Sequence, residues 1–219
     1  ALSLNVRVDI EGAGKGKSIV KYEAQKASVL LSSREASGSR VASLTLKQTG
    51  ISLAAERYPV ALADGAQLTL EDCLVEGGAG HGVAVINGGS AQLRNVEVLK
   101  CGWDGLAVSG EGSAADAVDC RFDSNFHHGI DAWGGGRVTI RSSRATQNGL
   151  AGAVLMSRGI RSELIQCTID RNREVGISIS NGTTAVLRAN RVEENLLGGV
   201  MVEGDGTTAG MEGNVAERN

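Results

Sequence analysis

Apolar residues in this chain come in short bursts of alternate positions, each closed by a glycine or polar break. Stacking the bursts HGVAV (81–85), DGLAV (104–108), HGIDA (128–132), AGAVL (151–155), VGISI (175–179) and GGVMV (198–202) shows one repeated register. The glycine column is Gly82, Gly105, Gly129, Gly152, Gly176 and Gly199, at steps of 23 or 24 residues. Asn125, Asn148, Asn172, Asn195 and Asn219 form a second column at the same steps, and Leu70, Leu93, Ala117, Ile140, Leu164, Leu187 and Met211 a third, apolar one. Fixed-period self-similarity marks a repeat architecture. Apolar positions two apart predict strands rather than helices. The period is too short for two helices and their turns. It predicts coils of three short strands, like strands stacking in parallel about 4.8 Å apart, with a core that no single coil could bury alone. Glycine and asparagine in fixed columns are expected at corners where φ is positive.

The rows LIQCTIDRNREVGISI and VLRANRVEENLLGGVMV resemble the right-handed parallel β-helix repeats of the pectin lyase-like superfamily. The resemblance covers residues 40–219. It implies an all-β fold: a single-stranded, right-handed parallel β-helix of about eight or nine coils, three strands per coil. Residues 1–39 are less regular and resemble the irregular first coils or cap of such proteins, so 1–219 is expected to be one domain. The last row stops at Asn219, at a corner, which leads us to expect a piece of a longer protein. The superfamily spans lyases, hydrolases, epimerases and non-catalytic recognition domains, including those of F-box proteins, so function has to be read from a site.

Composition narrows the choice. Thirty-one glycines with one proline fit many tight turns rather than a disordered or collagen-like chain. A net charge of -3 argues against nucleic-acid binding, which calls for a basic face. No apolar run is long enough for membrane insertion, and the alternating N-terminal stretch does not read as a signal peptide. Cys73, Cys120 and Cys167 share an inward column, Cys73 and Cys120 two rows apart, beyond disulfide reach; with Cys101 they are expected to be free, buried thiols. GAGKGKS (12–18) lacks the glycine spacing of a phosphate loop and reads as a first-coil turn, with KSIVKYEAQKASVLL as an alternative capping helix. NGT (181–183) reads as a turn.

Candidate chemistry collects on three successive rows. The register puts His81, Asp104 and His128 next to one another, with Trp103 and His127 one position earlier and Asp131 and Trp133 outward on the following strand. All three histidines and both tryptophans of the chain therefore share one face. Trp103, Trp133, His127, His128, Asp131 and His81 form the expected substrate-binding set: flat rings for sugar faces, polar groups for hydroxyls. His128, Asp131 and Asp104 are the candidates for acid–base catalysis. HGIDAW resembles the YGxDPH stretch of β-helix alginate epimerases in its Gly-hydrophobic-Asp core, which places Asp131 at the aspartate; His128 stands for the tyrosine and Ala132-Trp133 for Pro-His. The expected function is recognition or processing of a polysaccharide or oligosaccharide, binding before catalysis. The alternative is a non-catalytic scaffold for a protein partner or neighbouring domain. No cofactor and no metal is expected, although His81, Asp104 and His128 together could ligate zinc.

Overall fold

The computed structural model describes residues 1–23, 27–50 and 58–219. Their strands form three nine-stranded sheets, every neighbouring pair parallel. The chain visits the three sheets in turn, so each circuit adds one strand to each. The first sheet, which carries the candidate site, stacks Leu2–Leu4, Leu30–Ser32, Ala61–Asp64, Val83–Ile86, Leu106–Ser109, Ile130–Trp133, Ala153–Met156, Val175–Ile179 and Gly198–Val202. The second runs from Asp9–Glu11 to Thr208–Glu212 and the third from Ile19–Glu23 to Val215–Glu217.

The register is the one the repeat columns predict: Leu70, Leu93, Ala117, Ile140, Leu164, Leu187 and Met211 are successive partners in the second sheet. Inward residues from all three sheets make one continuous core. Within one coil the core mixes sizes, with small Ala115 and Ala117 on the second sheet and large Phe122 on the third. The four cysteines are free and buried in this core.

Residues 1–39 already hold a complete first coil, Leu2–Leu4, Asp9–Glu11 and Ile19–Glu23, in register with the next. The alternative capping helix is not formed: Ile19–Glu23 and Leu30–Ser32 are strands, and residues 24–26 of that stretch lie outside the described residues. GAGKGKS is a turn with Gly14 and Gly16 at positive φ, and NGT turns at Asn181 and Gly182.

The glycine and asparagine columns are there for a reason other than the expected positive φ. Left-handed backbone falls one residue earlier, at Lys100, Ser124, Gln147, Arg171, Glu194 and Arg218, with φ between 54° and 58°. The asparagines instead turn inward and build a ladder. Asn125, Asn148 and Asn172 each donate from Nδ2 to Oδ1 of the next asparagine at 3.2, 3.0 and 2.9 Å. Each Oδ1 also accepts a backbone N–H from the preceding row, as Asn148 does from Asn125 at 3.0 Å. The glycines lie against this ladder with no room for a side chain. A Cβ on Gly129 would sit 2.7 Å from Asn148 Nδ2, 2.7 Å from the Gly152 carbonyl oxygen and 2.9 Å from Ala145 Cβ. Gly129→Ala is therefore expected to lower unfolding stability by about 1–3 kcal/mol through overpacking; urea denaturation curves matching the parent protein would refute this.

Candidate functional site

The corner where the third sheet hands over to the first carries the site. The asparagine ladder and the glycine column pin the backbone on both sides of each short corner loop, so Trp103-Asp104 and His127-His128 repeat at row spacing. Asp131 pairs with Ala107 and Val154, and Trp133 with Ser109 and Met156, on the first sheet. All seven residues expected from the sequence, His81, Trp103, Asp104, His127, His128, Asp131 and Trp133, come together here.

Asp104 is the centre. It is only 2% exposed. Its Oδ1 accepts the His128 backbone N–H at 2.9 Å, and its Oδ2 lies 3.0 Å from His81 Nδ1. His127 Nδ1 approaches to 4.0 Å. Burial pushes the Asp104 carboxyl up, but His81 and the His128 N–H outweigh it and hold the group below its ordinary value. Asp131 has the opposite fate. Burial, helped by the charge of Asp104, pushes it up to about 7. Its Oδ1 is buried and meets no hydrogen-bond donor among the described residues. Burial also pulls the His128 imidazole down. Two carboxyls thus sit side by side, one held as an anion and the other as an acid near neutrality. That split is what acid–base chemistry requires.

The aromatic rings form a continuous rail. Trp133 and His81 have centroids 6.2 Å apart, His81 and Trp103 5.4 Å, Trp103 and His127 4.8 Å, and His127 and Phe126 6.5 Å. Phe126, 75% exposed, ends the rail at the lip of a cleft of about 510 Å³. Lys100, Leu150 and Arg173 line this cleft together with His127. Sequence reasoning passed over Phe126, Lys100 and Arg173. Extending the corner columns by one or two positions would have found them, because they fall on the same handover.

Asp104, His128 and Asp131 each offer a ligand atom within 4.8 Å of the others. The histidine's proton speaks against a metal there. His128 Nδ1 accepts the Ala151 N–H at 3.1 Å, so the neutral ring carries its proton on Nε2. That nitrogen is a donor with no lone pair for an ion. His81, the other imidazole of the zinc alternative, turns Nδ1 to Asp104 instead. The arrangement is a polar cluster: one anionic acceptor, one carboxyl raised toward neutrality and one imidazole donor.

Three parallel sheets wound as one solenoid, with a polar and aromatic face on a single corner, define a β-helix protein. The chain belongs to the right-handed β-helix region family, whose profile matches residues 81–219. No curated protein matches the chain. Among solved structures, the A-module of a mannuronan C-5 epimerase from Azotobacter vinelandii is similar with a TM-score of 0.65 and 17% identity, over 89% of this chain and 64% of that one. The catalytic domain of an α-1,3-glucanase in complex with tetrasaccharides gives a TM-score of 0.43 and 11% identity, over 97% and 59%. The chain spans less than two thirds of either structure, and the likeness to the epimerase is one of fold. No helix among the described residues is long and apolar enough to cross a membrane.

Proposed function

We propose that the corner face binds an oligosaccharide segment of a polysaccharide, with Trp103 and Trp133 as stacking platforms and the Asp104–His128–Asp131 cluster addressing ring hydroxyls. The observation that carries this reading is the run of aromatic rings, with Trp103 exposed in it, beside the Asp104–His128–Asp131 cluster on one corner. A sugar hydroxyl is of the right size and polarity, and flat aromatic faces beside polar groups suit its ring. The fold-level neighbour named as a mannuronan epimerase adds a polysaccharide precedent. Turnover would fall to Asp131 as the proton donor or acceptor, with Asp104 fixing its ionisation and His128 orienting the ligand. Binding takes precedence over turnover because Asp104 is buried and its Oδ1 is held by the His128 N–H.

Titration with a panel of neutral and acidic oligosaccharides is expected to quench tryptophan fluorescence, and Trp133→Ala to weaken the best ligand about ten-fold, in keeping with about 1–3 kcal/mol for a stacking ring. A panel that leaves the emission unchanged would sink the proposal. One observation favours the alternative of a protein-recognition scaffold: Phe126, Leu196 and Leu197 are exposed apolar residues on the same corner. In that case Phe126→Ser would abolish binding of a protein partner, while no sugar would quench the tryptophans.

A further inference from the structure

We infer that the bound glycan turns the corner and places a further sugar unit in the cleft between Phe126 and Arg173, so that this face selects oligosaccharides longer than a disaccharide. This rests on the oligosaccharide reading above and adds to it a second subsite and a length requirement.

The cleft is built into the repeat. Phe126, Gly149 and Arg173 each follow an asparagine of the ladder directly. Each backbone N–H is tied to a carbonyl one row back: Phe126 to Cys101 at 2.9 Å, Gly149 to Asn125 at 2.8 Å and Arg173 to Asn148 at 3.1 Å. The three residues therefore stack as one column, and Gly149 is the gap in it. A Cβ on Gly149 would run into the Phe126 carbonyl oxygen, so no side chain can close that gap. Cys101 and Asn125, both buried, make the floor. The depression of about 510 Å³ is thus pinned by the ladder and formed before any ligand arrives. Its size falls within the range of about 300–1,000 Å³ usual for small-ligand sites.

The two sides of the cleft differ in chemistry. Lys100, Ser124 and Gln147 follow directly on third-sheet strands and take left-handed backbone, with φ of 56°, 58° and 56°. They line the cleft with an ammonium, a hydroxyl and an amide. Towards the first sheet the lining is His127 and Leu150, and no carboxylate is among the lining residues. A pyranose ring has an apolar face of C–H groups and a rim of hydroxyls, and this mixture of ring, aliphatic and donor groups matches it. An apolar side chain from a protein partner would instead cover the polar groups of Lys100, Ser124 and Gln147 without bonding them, at a cost.

The cleft is continuous with the indoles. Trp103 and His127 lie at 28° to each other, and His127 and Phe126 at 22°, so the three rings run nearly parallel from the Asp104 cluster to the lip. The steps of 4.8 and 6.5 Å are comparable to the length of one sugar unit. Phe126 lies outside the hydrophobic core, so folding gives no account of an aromatic ring at that place. A glycan that meets Trp133 and Trp103 and continues along the rail reaches Phe126 and then the cleft.

The test measures affinities by calorimetry for glucose, N-acetylglucosamine and galacturonic acid oligomers of two to six units. In the best-bound series the longer members are expected to bind about ten-fold more tightly than the dimer, the gain of one further ring contact. Phe126→Ala and Arg173→Ala, at exposed positions on the two walls, are each expected to reduce that ratio to within about two-fold. Urea denaturation curves overlaying that of the parent confirm that both variants fold. Trp133→Ala is expected to weaken every length and leave the ratio in place. Equal affinity at all lengths, or a ratio that survives both wall substitutions, would overturn the second subsite and leave the oligosaccharide reading standing. Loss of every length in Phe126→Ala with none in Trp133→Ala would make the cleft the whole site and overturn the continuous path. If no oligomer of any length binds, both readings fail together.

Discussion

Asn148→Ala is expected to destabilise the solenoid by about 3–5 kcal/mol, more than any surface substitution in the chain. The side chain lies in the middle of the ladder and is fully buried. Its Oδ1 accepts both the backbone N–H and Nδ2 of Asn125, at 3.0 and 3.2 Å. Its Nδ2 donates to the Phe122 carbonyl and to Asn172 Oδ1, each at 3.0 Å. Alanine removes all four bonds and leaves the Asn125 N–H facing a dry void that no water-exposed route relieves. Each buried group so orphaned costs about 1–3 kcal/mol. Coils in a solenoid lean only on their neighbours, so the damage falls on the rows that carry the site. Urea denaturation followed by circular dichroism measures the loss, and a loss under about 1 kcal/mol would show that the ladder is not what holds the rows in register.

Much of this fold could be read from the chain because a solenoid turns sequence period into spatial adjacency. Cα partners such as Leu70 and Leu93, or Ala107 and Asp131, are simply one period apart. The same arithmetic gathers His81, Asp104 and His128. Period alone says nothing about what a column does within a row. Gly129 looked like a corner glycine, yet it is required because the Asn148 amide lies where its Cβ would be. Gln147, one residue before the asparagine column, takes the left-handed backbone that the asparagine was expected to take. Period locates both columns but not their roles, since side-chain direction at a corner depends on φ and ψ rather than on alternation. The site shows the same limit. Asp104 and Asp131 are chemically identical in the sequence, and only depth and partners separate them. One is fixed by an N–H and an imidazole, the other has an oxygen with no donor at all.

Asp131→Asn is expected to stabilise the unliganded protein in alkaline solution, by about 2–4 kcal/mol at pH 8.5, while changing little at pH 4. Folding raises the Asp131 carboxyl from the ordinary 3.8 to about 7, mainly through burial and then through the charge of Asp104. Below the unfolded value both states hold the proton, and the side chain carries no penalty. Between pH 4 and 7 the unfolded chain releases the proton and the folded chain keeps it, so stability falls as pH rises. Above 7 the folded state must bear a second buried carboxylate beside Asp104, and the penalty is complete. An asparagine does not titrate, so the variant escapes this slope. Chemical denaturation of both proteins from pH 4 to 8.5 gives the comparison, and parallel stability profiles would show that Asp131 is not the shielded acid described here. A gain in stability on replacing the carboxyl by an amide is the signature expected of a group kept for function rather than for folding.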